Sequence, residues 1–118
     1  MAEVLVCAGE ELKQGDARTV YLGKDVQGLP IVAILLRNST GGLVALRNLC
    51  RHLPVPLDGG TGELLTEDRR HLICGTHGAL YRIDDGYCVE GPCEGLSLER
   101  LACRETNDGV YVSTGSDV

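Results

Sequence analysis

The chain has no tryptophan and no phenylalanine, and four tyrosines are its only large aromatic rings in 118 residues. A core without Phe and Trp has to be built from Val, Leu and Ile. Positive charge is also scarce: 11 Lys and Arg stand against 17 Asp and Glu, giving a net charge of −6 and a pI near 4.9. No basic run or Lys/Arg patch interleaved with aromatics is present, which argues against a nucleic-acid partner. No segment approaches the ~20 consecutive apolar residues of a membrane span. Met1 to Glu10 lacks a positively charged n-region, and the apolar run Val4-Leu5-Val6-Cys7-Ala8 is short for a signal peptide. A cytoplasmic protein is therefore expected, with no membrane partner. Long amphipathic helices are missing too: Glu10-Glu11-Leu12-Lys13 offers one helical turn ending at Gly15. No Ser–His–Asp set, P-loop or Rossmann fingerprint is found, so no catalytic residue is assigned.

Short apolar runs punctuated by Gly, Asp and Asn recur about every dozen residues, the pattern of an all-β domain. Strands are predicted near 3–7, 18–22, 30–37, 42–48, 63–66, 70–74, 79–83, 97–104 and 109–113. The strongest follows Pro30: Ile31-Val32-Ala33-Ile34-Leu35-Leu36 is unbroken apolar and predicts burial on both faces. Asn38 to Gly42, Asp84-Asp85-Gly86 and Asn107-Asp108-Gly109 read as hairpin turns. Ser113 to Val118 is expected to be a frayed tail. No repeat or linker divides the chain, so a single domain over 1–118 is expected.

Two short pairs carry the chemistry: Cys50-Arg51-His52 and Cys74-Gly75-Thr76-His77, with 21 residues between them. Each offers a thiolate and an imidazole. Structural zinc favours Cys-x2–4-Cys and His-x3–5-His, with like ligands paired. Mixed pairs, one with a single intervening residue, fit zinc poorly, yet a zinc-stabilised interaction module stays open as an alternative. Its colour would decide, since zinc does not absorb visible light.

Cys-x-His followed by Cys-x2-His resembles the ligand pattern of a Rieske [2Fe–2S] centre, where two His replace two Cys on one iron. The resemblance, to small soluble Rieske-type ferredoxins, covers about residues 28 to 113. It implies an all-β fold, with an antiparallel sandwich or barrel base and an inserted cluster-binding lobe at about 47–92. It implies one [2Fe–2S] cluster, with Cys50 and Cys74 on the inner iron and His52 and His77 on the outer one. Leu53, Val55, Leu57, Leu72 and Leu80 would wall the site. Gly78 would allow positive φ or close backbone approach beside the cluster. Gly91-Pro92 resembles the Pro-containing loop that covers the cluster, which makes Pro92 a further cofactor contact.

High-potential members carry an extra Cys in each loop; Val55 and Thr76 stand there, so that disulfide cannot form. They place a Ser where this chain has Ala79, and a Tyr that bonds a ligand sulfur where it has Tyr81. One of two polar donors is thus retained. The potential is expected in the lower half of the roughly −150 to +300 mV Rieske range. As a strand aromatic, Tyr81 could equally pack on the core.

Four cysteines remain. Cys7 and Cys103 lie in apolar strands and are expected as buried small hydrophobes. Cys88 and Cys93 flank Val89 to Pro92 beside the site; a bridge between them would close a small loop there and stays open as an alternative, with two thiols the default expectation in a reducing cytosol. His71, before Cys74, has no place in the ligand pattern. It is also the one His left over, so the chain lacks the two-His, one-carboxylate iron site of an oxygenase. The function implied is one-electron transfer between a flavin-dependent reductase and an oxygenase-type acceptor, through transient docking. A redox-sensing or regulatory Rieske subunit is the other alternative. The Cys88/Cys93 pair could then report oxidation.

Overall fold

The structure is a computed structural model that describes residues 3–50, 55–58, 64–75 and 78–116. Among the described residues, nine antiparallel strands form three three-stranded sheets. The first sheet joins both ends of the described chain: β1 (Glu3–Cys7) and β8 (Leu101–Thr106) flank β9 (Gly109–Ser116). In the second, β3 (Pro30–Arg37) lies between β2 (Ala17–Lys24) and β4 (Leu43–Arg47). The third is small, with β6 (Leu80–Arg82) between β5 (His71–Ile73) and β7 (Cys88–Glu90). The predicted helical turn is a 3-10 turn at Gly9–Glu11.

The apolar run of β3 does what its composition requires. Ala33, Ile34, Leu35 and Leu36 are all buried, and the period of two sends them to opposite faces. Ile34 and Leu36 enter one core with Val44, Leu46, Leu57, Leu72, Tyr81 and Leu98. Ala33 and Leu35 enter a second core with Ala45, Leu101, Val110 and Val112. Strand β3 thus stands between the two cores. Burying each of its larger side chains contributes about 1.5–3 kcal/mol. The second sheet meets the segment leading into β8 through β4, by a Leu46–Arg100 bridge and a backbone Arg47 N–H bond to the Glu99 carbonyl at 2.8 Å.

The turns follow their chemistry. The Asn38 carboxamide accepts from the Thr40 and Gly42 N–H groups, closing the β3–β4 hairpin. Gly86, at φ +79°, lies over Leu46, where a Cβ would stand 2.9 Å from a Leu46 methyl.

Some expectations are corrected. Residues 64–66 form no strand; Leu65 makes a single bridge to Leu72. The strand expected over 97–104 begins at Leu101, with isolated bridges at Ser97 and Arg100 before it. Ser113 to Ser116 belongs to β9, because β1 pairs with Ser113 and β8 with Ser116. Strand β7 was not predicted. Among the described residues, no helix is long and apolar enough to cross a membrane.

Candidate metal centre

The first cysteine is placed by the end of β4. The Asn48 N–H donates to the Val32 carbonyl at 2.7 Å, and its side-chain oxygen accepts the Leu57 N–H at 2.8 Å. The Cys50 N–H donates to the Val55 carbonyl at 2.8 Å. These bonds close a loop with Cys50 at its foot. The predicted ligand His52 and the wall residue Leu53 lie outside the described residues.

The second cysteine is placed between β5 and β6. The Cys74 N–H donates to the Ala79 carbonyl at 2.9 Å, and the Gly78 N–H returns to the Cys74 carbonyl at 2.8 Å. Gly78 has φ +73°, which a side chain would resist. His77 lies outside the described residues. The two loops are tied directly: the Gly75 N–H donates to the Leu57 carbonyl at 2.9 Å. Both thiols are buried, Cys50 at 5% exposure and Cys74 at 1%, within one apolar cluster.

That cluster holds Leu57 and Leu72 as predicted, with Val55 packed against it. Leu80 is only half-buried and is not part of it. The alternation of β6 explains this, since Ala79 and Tyr81 point inward and take its place. Leu64 also joins the wall. Behind the second loop, Gly91 rests on Ala79, while Pro92 is exposed.

Tyr81 is fully buried, with its hydroxyl 3.5 Å from Cys50 Sγ. The same hydroxyl lies 2.8 Å from Cys93 Sγ. Cys93 Sγ in turn is 3.4 Å from Cys88 Sγ, far beyond the ~2.05 Å of a disulfide, so the pair consists of two thiols. Burial, reinforced by the neighbouring Cys93 thiol, pushes the Cys88 thiol up to about 11. Cys7 is buried and Cys103 half-buried against the second core. His71 opens β5 and is half-buried.

Two features of the site escaped the sequence reading. Asn48 braces the first loop, and its signal is a carboxamide two residues before a ligand-pattern Cys at the end of an apolar strand. The contact of Cys93 with Tyr81 joins the loop after β7 to β6 and has no local signal. Beneath the site, Arg47 donates to Asp25 at 2.9 Å and to the Pro30 carbonyl at 3.2 Å. That pairing, with the Leu29 and Gln27 N–H groups, holds the Asp25 carboxyl below its ordinary value.

Fold and site together describe a small antiparallel β protein that presents two buried thiols on linked loops. The Rieske [2Fe-2S] domain family matches residues 2–102, and the chain belongs to that family. No curated protein matches it. Among solved structures it is similar to a chain of the reduced complex between oxygenase and ferredoxin in carbazole 1,9a-dioxygenase. That match has TM-score 0.74 and 21% identity, over 98% of this chain and 29% of that one. It is also similar to the terminal oxygenase of carbazole 1,9a-dioxygenase from Nocardioides aromaticivorans IC177. There the TM-score is 0.73 and the identity 23%, over 98% and 31% of the two chains. A chain of the complex of reduced oxygenase and oxidized ferredoxin in carbazole 1,9a-dioxygenase matches along almost its whole length. Its TM-score is 0.70 and its identity 22%, over 98% and 96%. The chain spans under a third of the first of these structures. At these identities the likeness establishes the fold. The family's group is a [2Fe–2S] cluster, and the described donor chemistry fits it: two buried thiols in apolar walls, one beside a hydroxyl.

Proposed function

We propose that this chain is a one-electron carrier rather than an enzyme in its own right. It would hold one [2Fe–2S] cluster through Cys50 and Cys74 on the inner iron and His52 and His77 on the outer iron. The observation that carries the reading is the pair of buried thiols, Cys50 and Cys74, on loops tied by the Gly75–Leu57 hydrogen bond. When bound, the cluster supplies a site that gains and loses one electron. The protein's residues then do the rest. Leu57, Leu64, Leu72 and Ala79 exclude water from the thiolates, which tunes the potential. Tyr81 supplies a hydroxyl toward the Cys50 sulfur. Gly78 gives the second loop its turn, and Gly91-Pro92 would form the loop that covers the cluster, with Pro92 a further cofactor contact.

The whole chain is proposed to be a single Rieske domain with the lobe at about 47–92. Its work would lie in the cytoplasm, between a flavin-dependent reductase and an oxygenase-type acceptor. The oxygenase–ferredoxin complexes among its structural neighbours support the choice of acceptor class.

Metal and sulfide analysis tests the assignment, with about two of each expected per chain. Electron paramagnetic resonance of the dithionite-reduced protein should give a histidine-ligated cluster signal. His52→Ala and His77→Ala should each lose or cripple it, and His71→Ala should leave it intact. One zinc and no iron would overturn the proposal.

A further inference from the structure

Four groups that each carry one hydrogen-bonding proton stand in line behind the first loop. They are Cys50, Tyr81, Cys93 and Cys88, with successive heavy-atom distances of 3.5, 2.8 and 3.4 Å. The line ends at the Glu90 carbonyl oxygen, 3.3 Å from Cys88 Sγ. All four side chains are buried, none more than 5% exposed.

The direction of this chain can be worked out from its far end. A carbonyl only accepts, so Cys88 donates to Glu90. With its one proton so used, the Cys88 sulfur accepts from Cys93, and the Cys93 sulfur accepts from Tyr81. The Tyr81 proton then points away from Cys50, and the Tyr81 oxygen accepts from the Cys50 thiol. That is the polarity for a Cys50 that carries its own proton.

A metal-bound cysteine has no proton and can only accept. If each proton swings to its other neighbour, Tyr81 donates to Cys50, Cys93 to Tyr81 and Cys88 to Cys93. The bond given up is a thiol to a carbonyl, and a thiol is a weak donor. The bond gained is a phenol to a thiolate, and charge assistance makes such bonds roughly twice as strong as neutral ones. The exchange favours reversal.

We propose that Cys93, backed by Cys88, is a positioning residue that sets how strongly Tyr81 donates to Cys50, through a hydrogen-bond chain that reverses when Cys50 becomes a metal ligand. The proposal rests on the ligand role of Cys50 given above. A thiol donating into the Tyr81 oxygen polarises the phenol O–H and makes it a better donor. A better donor on a ligand sulfur favours the form with more negative charge there, the reduced one. Cys93 therefore raises the potential although it touches no iron.

The test is the midpoint potential of the loaded protein in wild type, Cys93→Ala, Cys93→Ser, Tyr81→Phe and the Tyr81→Phe/Cys93→Ala double variant. Cys93→Ala should lower the potential by part of the drop that Tyr81→Phe produces. Cys93→Ser keeps a donor and should recover most of the loss. In the Tyr81→Phe background, Cys93→Ala should add nothing, because its effect passes through the phenol. Should Cys93→Ala fail to fold, Cys88→Ala carries the test with the same sign and a smaller drop. The proposal is overturned by an unchanged potential, by a rise, which would make Cys93 a competitor for the Tyr81 proton, or by a drop that persists without the phenol. A wild-type chain that takes up no iron and sulfide instead sinks the ligand reading itself, and this proposal with it.

Discussion

Gly91 lies against Ala79 so closely that a Cβ on Gly91 would stand 2.7 Å from the Ala79 Cα and 3.1 Å from its Cβ. Gly91 also has φ +106°, a conformation that side chains rarely adopt. The contact presses the segment after β7 onto the second loop, two residues beyond His77. It can form only where both partners are small.

Gly91→Ala should therefore be costly. Overpacking a filled site costs about 1–3 kcal/mol, and the positive φ adds strain. The melting temperature should fall by about 4 °C or more, and iron retention should fall with it. Gly28→Ala is the control: φ is +84°, but nothing lies within 4 Å of the added Cβ, so only the strain acts. If the two variants melt alike, the Gly91–Ala79 contact contributes nothing.

How much of this was legible follows from which forces are local. The apolar run after Pro30 announced a strand buried on both faces, because burial on two faces leaves no polar positions. Turn residues announced the hairpins, because Asn38 and Gly109 act on their own backbone. Cys50 and Cys74 read as loop residues because Pro and Gly follow them closely, and the structure places both between strands. Strand β7 was not legible: Cys88-Val89-Glu90 is too short to show a period, and it forms because β6 offers an edge. Leu80 was misplaced because one residue of register decides which face a strand side chain meets. The contact of Cys93 with Tyr81 was invisible since it depends on the path of the loop after β7.

Asp25→Asn should destabilise the base of the first loop. The Asn side-chain oxygen still accepts from Gln27 and Leu29, so the change removes only the charge and the acceptor that face Arg47. Arg47 is only 9% exposed and would keep the Pro30 carbonyl, with Glu99 at 3.8 Å. The folded carboxyl is held below its ordinary 3.8, chiefly by Arg47, so its contribution is present above that pH. It is lost as pH falls through the folded value. The melting difference between wild type and Asp25→Asn should be flat near neutrality and shrink in acid. A difference that stays constant into strong acid would exclude the ion pair as its source.

Electron exchange with a reductase or acceptor should depend on salt. A net charge of −6 favours a partner with a basic face, and screening shortens the reach of that attraction from about 10 Å at 0.1 M to about 3 Å at 1 M. Stopped-flow on-rates should fall steeply over that range. Flat rates would rule out steering by charge and point to an apolar contact.

The Cys88 thiol makes stability fall in alkali. Its ordinary value is 9.0, and burial first, then the neighbouring Cys93 thiol, pushes it up to about 11 in the folded chain. Between those values the unfolded chain has lost the proton and the folded chain still holds it. Stability falls wherever the folded state binds more protons. The contribution is therefore fully present below pH 9 and is lost as pH rises through about 11. Denaturant unfolding should show the loss beginning above pH 9 in wild type and reduced in Cys88→Ala. Alkylation gives an independent reading. Half-buried Cys103 should react first near neutrality, while Cys88, with no exposed surface, should stay protected until the chain opens. Rapid labelling of Cys88 at neutral pH would show that the thiol is neither buried nor raised, and would remove the basis for the alkaline slope.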